Sequence, residues 1–233
     1  MPSDLIEDRP TLKIKICGLT DEAATRTAIE AGADMLGFVL FPPSPRHREP
    51  ERLAELMDIA RGKAILVALA VEPDDDTLAV ILETLRPDRI QLHGKETPER
   101  VAEIRRASGL KVIKAIGVST AEDLARIDLY RDVADQLLFD AKPPKDATRP
   151  GGLGRAFDWS LLDGLDPALD TMLSGGLNCD NVGEAVRRLR PPAIDVSSGV
   201  EAAPGQKDPA LIRAFIEAAR AAERSAEQER RVS

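Results

Sequence analysis

A handful of residues in this 233-residue chain combine reactive side chains with suggestive neighbours. Cys17 closes the alternating run LKIKI and stands before Gly18. A thiol has an ordinary pKa of about 8.5, so modest positive potential brings it near neutrality as a base. Asp140 closes the apolar run QLLF. Held in apolar surroundings, a carboxyl rises in pKa and can serve as a general acid. Arg46, at the end of VLFPPSPR, carries a planar guanidinium suited to two-pronged capture of a carboxylate, and His93 lies within QLHG. Gly175 and Gly176 (LSGG) and Ser198 and Gly199 (DVSSG) can open backbone N–H groups to an anion such as phosphate. Each residue also has a plainer use: buried filler for the cysteine, turn capping for the aspartate, loop or rim solvation for the arginine and histidine, tight turns for the glycines.

These residues must be positioned by the elements around them. Apolar runs of strand composition lie near 12–16, 34–40, 64–71, 89–92, 111–116, 135–140, 171–174 and 193–196. Segments of helical periodicity fall between and after them, near 21–31, 50–61, 75–85, 97–107, 120–130, 158–162, 180–189 and 208–222. Strand and helix alternate throughout, and nowhere do two strands follow each other through a tight hairpin. Such alternation implies parallel strands with crossover helices. Eight strand–helix units in a chain of this length form the inventory of a single-domain, parallel, eight-stranded (β/α)8 barrel. An open doubly wound sheet is the competing architecture, but the glycine-rich dinucleotide turn GxGxxG is missing after the first strand. No Pro/Gly/Ser-rich linker divides the chain. One domain is therefore expected over 1–233, with a core at about 12–222 and polar ends. The connection from Ala141 to Phe157 is long enough to read as a functional lid. The final AAERSAEQERRVS reads as the fraying end of the last helix and nothing more.

Composition excludes several classes. Net charge is −8 with 32 basic and 40 acidic residues, and no dense basic run offers a nucleic-acid face. Two cysteines make no disulfide framework and, with two histidines, no zinc site. The longest apolar run, AILVALAV, is far short of a membrane span, and the acidic start MPSDLIEDRP lacks a signal-peptide core. A soluble, cytoplasmic protein is expected.

In a barrel of this type the active site lies at the C-terminal ends of the strands, with phosphate often bound after strands seven and eight. The glycine turns at 175–176 and 198–199 fall at those strand numbers. Along the first strand Lys13, Lys15 and Cys17 share a face, and Leu12, Ile14 and Ile16 share the other. The apolar face should meet the helices, which aims Cys17 inward at the rim. Cys179, after strand seven, lacks such a setting and reads as structural. Cys17 and Asp140 then stand on opposite sides of one mouth, a base and an acid as an isomerase needs them.

The motifs KICGLT, LGFVLFPPSPR, QLHG, LLFDAKPP, GGLGRAFDW, LSGGLNCDNV and DVSSGVE with PGQKD, in this order from about Leu12 to about Ala218, resemble the phosphoribosylanthranilate isomerases of tryptophan biosynthesis. The resemblance implies a barrel enzyme without cofactor or metal that acts on a small phosphorylated substrate, as a monomer or homodimer. The reaction it implies is the Amadori rearrangement of N-(5-phosphoribosyl)anthranilate to the 1-deoxyribulose 5-phosphate isomer. It assigns Cys17 as general base and Asp140 as general acid, with Arg46 on the anthranilate carboxylate. His93 is grouped with the substrate-binding residues, and Gly175, Gly176, Ser198 and Gly199 with the phosphate. The chain departs from the family pattern at Leu153, where a hydroxyl residue is common, at Arg155 for lysine, at Cys179 for proline, and in a longer, proline-rich lid.

Three rival readings fit the residues less well. Indole-3-glycerol phosphate synthase relies on a catalytic lysine, glutamates and an extended N-terminal segment, whereas about eleven residues precede the first strand here. The histidine-pathway sugar isomerase uses an aspartate where Cys17 stands. A silent barrel that only binds a phosphorylated ligand would have lost the acid or the base.

Overall fold

The computed structural model describes residues 12–142 and 157–232. Eight strands run β1 (Lys13–Cys17), β2 (Met35–Val39), β3 (Ile65–Ala70), β4 (Arg89–Leu92), β5 (Lys111–Val118), β6 (Gln136–Ala141), β7 (Thr171–Leu173) and β8 (Ala193–Val196). They close into one barrel, each strand paired with the next in sequence and β8 with β1, all in parallel. The expected (β/α)8 architecture is thus the observed one, with strand limits within two residues of those expected.

The helices between the strands are α1 (Glu22–Glu30), α2 (Pro50–Ala60), α3 (Asp75–Val80), α4 (Pro98–Ser108), α5 (Ile127–Tyr130), α6 (Val182–Leu189) and α7 (Pro209–Val232). Their starts follow capping chemistry: the Asp21 carboxylate accepts from the Ala24 N–H, the Thr97 hydroxyl from that of Arg100, and proline opens α2 and α4. α3 continues as a wider π-type turn over Ile81–Leu85, and most of the fifth helical segment is a 3₁₀ turn over Ala121–Arg126.

Strand parity divides the interior in two. Ile14, Ile16, Leu36, Phe38, Leu66, Ala68, Ile90, Leu92, Val112 and Ile116 belong to the large core between sheet and helices. Met35, Val67, Ile113, Ala115, Leu138, Met172 and Ala193 fill the barrel itself, with Cys17, Val39 and Leu69 above them toward the mouth. The inward positions of β1, β4, β6 and β8 depart from this apolar lining, with Lys15, Gln91, Asp140 and Asp195 all buried.

Two expectations fail. A tight hairpin does exist: Glu201–Ala203 and Gln206–Lys207 pair antiparallel as β9 and β10 around Gly205, whose φ is +79°. These pieces are too short and polar to announce themselves as strands. The last helix is also more than a fraying end. Glu223 accepts the Leu12 N–H, and Arg220 holds both the Leu12 carbonyl and Asp34, so α7 clamps the entry to β1. The lid expected between Ala141 and Phe157, with Leu153 and Arg155, lies largely outside the described residues. Among those described, no helix is long and apolar enough to cross a membrane.

Candidate active site

Cys17 is inward, as parity expects, and almost fully buried beneath Val39 and Leu69. Its neighbour across the β1–β2 ladder is Gly37. A Cβ at that position would lie 2.8 Å from Cys17 Sγ and 3.1 Å from Lys15 Nζ, so a glycine there makes room for thiol and ammonium together. Gly18 turns the chain away with φ +79°, and a Cβ on it would strike Arg46 Cδ. Lys15 Nζ donates to Asp195 Oδ1 at 2.9 Å, and Ser174 Oγ donates to Asp195 Oδ2 at 3.2 Å. Burial pushes the Cys17 thiol above its ordinary value, and the opposing pull of Lys15 does not cancel it. The positive potential of Lys15 is present at the thiol, but so are dryness and the Asp195 carboxylate.

Asp140 is buried at the end of β6, yet its surroundings are polar. His93 Nε2 lies 3.1 Å from Oδ2, and the Ala141 N–H donates to Oδ1 at 2.9 Å. His93 Nδ1 in turn lies 3.1 Å from Gln91 Nε2. With the Gln91 amide donating to Nδ1, the ring proton sits on Nε2 and points at the carboxylate. Turning the amide over would reverse the tautomer and let His93 accept a proton from Asp140. Gln91 Oε1 has no hydrogen-bond partner among the described residues, and in the turned amide Nε2 would take that unpartnered place.

A buried cation holds the loop that carries His93. Lys114, fully buried on β5, donates to the carbonyls of Leu92 and Gly94 on either side of His93, at 3.3 and 2.9 Å. It also meets Glu96 Oε2 at 2.8 Å. Glu96 accepts the N–H groups of Glu72 and Gly94, and its carbonyl takes the Tyr130 hydroxyl at 2.7 Å. Burial lowers the Lys114 pKa, against the pull of Glu96.

Arg46 is at the mouth but engaged. Its Nε and Nη2 grip the two oxygens of Glu201 at 2.7 and 2.8 Å, both side chains being buried. Lys207 Nζ adds a third donor to Glu201 at 2.8 Å and donates to the Ser197 carbonyl at 2.8 Å. Burial lowers Lys207 to about 8 despite Glu201. Burial alone would raise Glu201, but the donors from Arg46 and Lys207 outweigh it and hold the carboxyl below 4.5. The β9–β10 hairpin brings these groups together: its turn packs on Pro45, and Thr20 Oγ1 donates to the Gly205 carbonyl at 2.9 Å.

The two glycine turns meet. Gly199, in the single 3₁₀ turn Ser198–Val200, leaves no room for a Cβ, which would stand 1.9 Å from the Leu177 carbonyl oxygen. Gly175 and Gly176 have φ of +80° and +68°, and a Cβ on Gly175 would reach 2.4 Å from the Ala141 nitrogen. The turn after β7 therefore touches both the turn after β8 and the residue following Asp140. Cys179 sits apart, its thiol facing the Leu211 carbonyl at 3.6 Å. Among the described residues, no group of three or more His, Cys, Asp and Glu side chains is placed to hold a metal ion.

A family model described as N-(5'phosphoribosyl)anthranilate (PRA) isomerase matches residues 14–218. The chain belongs to that family. An N-(5'-phosphoribosyl)anthranilate isomerase of Nitrobacter winogradskyi is 58% identical over 215 residues, 92% of this chain and 96% of the relative. One from Bradyrhizobium diazoefficiens is 53% identical over 218 residues, covering 94% and 98%. The phosphoribosyl anthranilate isomerase of Thermotoga maritima has a crystal structure that superimposes with a TM-score of 0.81 at 37% identity, covering 90% of this chain and 99% of that one. A further phosphoribosyl anthranilate isomerase structure, in complex with reduced 1-(o-carboxyphenylamino)-1-deoxyribulose 5-phosphate, gives 0.78 at 34% identity, with the same coverage.

The sequence singles out Cys17, Asp140, Arg46 and His93, which the structure places at or near the mouth, but not the residues that hold them. In the sequence Lys15 is only a marker of strand parity, and nothing in DVSSG sets Asp195 apart. Glu201, Lys207, Lys114 and Glu96 were not singled out. The one available signal was a lysine in the middle of each of two strands, KIKIC and KVIKAI, where an unpaired charge cannot be buried.

Proposed function

We propose that the chain isomerises N-(5'-phosphoribosyl)anthranilate to 1-(2-carboxyphenylamino)-1-deoxyribulose 5-phosphate, with Asp140 as general acid and Cys17 as general base. The observation that carries this reading is that a thiol on β1 and a carboxyl on β6 both occupy inward positions at one mouth, beside two touching glycine turns. Asp140 gives its proton to the ribose ring oxygen as the C1–O bond breaks, which opens the ring to a Schiff base. Cys17 removes the C2 proton, and the electron pair moves to form an enolamine. Tautomerisation to the ketone completes the isomerisation. The steps are proton transfers with no net redox change, C2 being oxidised as C1 is reduced within one molecule, so the scheme calls on no cofactor.

The remaining roles follow from position. Arg46, fixed by Glu201, is offered to the anthranilate carboxylate, and His93 holds Asp140 and lines the pocket. Gly175, Gly176, Ser198 and Gly199 are offered to the phosphate, where positive-φ glycines and crowded backbones leave N–H groups unobstructed by side chains. The substrate is a small phosphorylated molecule, and a cytoplasmic monomer or homodimer accounts for the chain without nucleic-acid or membrane partners.

The test is turnover of substrate formed in situ from anthranilate and phosphoribosyl pyrophosphate, followed by loss of anthranilate-type fluorescence. Wild type should turn over, and Cys17→Ala and Asp140→Asn should fall by about 10²- to 10⁴-fold, the range for acid–base groups. A folded wild type without turnover overturns the reading. Full activity in Cys17→Ala moves the base elsewhere.

A further inference from the structure

Lys15 and Asp195 form an ion pair in a place where the barrel elsewhere is filled with Met35, Val67, Leu138 and Met172. They are register partners on β1 and β8, both buried, with Nζ and Oδ1 2.9 Å apart. A buried pair of this kind is at best neutral for stability, because desolvating two charges offsets their attraction. Its location suggests another use. Lys15 is two residues before Cys17 on the same strand face, and its ammonium and the thiol both press on Gly37.

We propose that Lys15 is a positioning residue that sets the ionisation of Cys17, with Asp195 as the counter-charge that limits how much of the ammonium the thiol feels. The inference rests on the reading of Cys17 as the base. Burial alone would lower Lys15, but Asp195 and Cys17 together more than offset it, so Lys15 stays charged. Ser174 occupies the other carboxylate oxygen and so fixes the side chain that fixes the lysine. The charged groups around the thiol are Lys15 from its own strand, Asp195 from β8 and Lys207 from β10. Arg46 lies against Gly18 but is paired with Glu201. From β2 and β3 come only Val39, Leu69 and their apolar neighbours. Lys15 is thus the cation that acts most strongly on the sulfur, and Lys207 shares its own charge with Glu201.

The two partners must act with opposite sign. Removing Lys15 takes away the cation and leaves Asp195 facing the sulfur, so the thiolate becomes harder to form. Neutralising Asp195 leaves the thiolate as the counter-charge that holds the buried ammonium, so the two ionise as a pair and the thiolate becomes easier to form. A pair that merely packs the barrel would give effects of one sign, through loosening of the site.

The experiment measures thiolate ultraviolet absorbance against pH in full-length protein with Cys179→Ala as background, so that Cys17 is the thiol observed. The variants are Lys15→Met and Asp195→Asn, with the pH profile of kcat/KM recorded alongside. Lys15→Met should raise the pH at which the thiol ionises, and Asp195→Asn should lower it, each by a pH unit or more, which is about a tenfold change in thiolate fraction at fixed pH. The basic limb of kcat/KM should move with it. Asp195→Asn is isosteric and can still accept from Ser174, so that arm decides the matter even if Lys15→Met fails to fold. Shifts of the same sign, or no shift in Asp195→Asn, overturn the proposal. Opposite absorbance shifts with an unmoved kcat/KM limb uphold the hold of Lys15 on the thiol and overturn Cys17 as the base.

Discussion

His93 Nε2 lies 3.1 Å from Asp140 Oδ2, and the peptide N–H of Ala141 lies 2.9 Å from Oδ1, so both oxygens of this buried carboxyl are held before any substrate arrives. Holding both oxygens fixes the plane of the carboxyl and narrows the directions in which it can present a proton. That pre-set orientation is what proton transfer to a ring oxygen requires. Asp140→Asn keeps the shape and the Ala141 bond but has no proton of suitable acidity. It should lose turnover by at least about 10²-fold while binding a product analogue within a few fold of wild type. Titration calorimetry beside steady-state rates separates the two effects.

Replacing His93 should be milder. His93→Ala removes the side chain that aims Asp140 but leaves the carboxyl in place. A fall in kcat of about 10- to 100-fold is expected, with KM changed less. A larger effect on KM than on kcat would make His93 a substrate contact rather than the support of the acid.

The loop carrying His93 depends on Lys114. Its ammonium ties the Leu92 and Gly94 carbonyls to Glu96 inside a closed set of hydrogen bonds. Lys114→Met would leave Glu96 buried and unpaired, which typically costs about 3–5 kcal/mol. Urea unfolding should register that loss. The double variant Lys114→Met with Glu96→Gln should recover much of the stability, because the stranded charge is gone. Its kcat should stay low, because the two carbonyls beside His93 remain untied.

The barrel and its strand limits were legible because each strand is a short apolar run with a parity, and parity depends only on local sequence. Cys17 was aimed inward from the alternation of LKIKI alone, and the structure puts it in the interior layer with Val39 and Leu69. What escaped depends on residues distant in sequence. Glu201 and Arg46 are 155 positions apart, Lys15 and Asp195 180, and His93 and Asp140 47. No periodicity links such pairs. The hydrogen-bond partner of Asp140 is out of reach for this reason: the run QLLF describes its own strand, whereas His93 follows β4. The β9–β10 hairpin escaped because five strand residues around Pro204 and Gly205 carry too little pattern to read as strands.

Gly37 offers a test of how tightly the thiol and ammonium are packed. A methyl group there would meet Sγ at 2.8 Å and Nζ at 3.1 Å, so at least one must move. Overpacking of this size costs about 1–3 kcal/mol. Because the displaced atoms belong to the base and its neighbouring cation, Gly37→Ala should reduce kcat/KM by about 10- to 100-fold. A thermal melt run beside the assay checks that the protein is folded. Unchanged activity in a folded Gly37→Ala would mean that the position of the sulfur is not critical.

Acid should attack the site through Glu201. Its carboxyl is held below 4.5 in the folded protein by Arg46 and Lys207, whereas the unfolded chain returns it to its ordinary value. The group therefore contributes stability that is fully present above 4.5 and is lost as the pH falls through its lowered folded value, because the unfolded state takes up the proton first. Lys207, with its pKa lowered to about 8, stays protonated throughout this range and does not confuse the measurement. Glu201→Gln should be less stable than wild type at neutral pH, since two buried cations then lack a counter-charge. The gap between the two proteins should narrow as unfolding free energy is followed from about pH 6 to pH 3, because wild type loses there what the variant never had. A gap that stays constant across that range would show that Glu201 is not the carboxylate whose protonation weakens the fold.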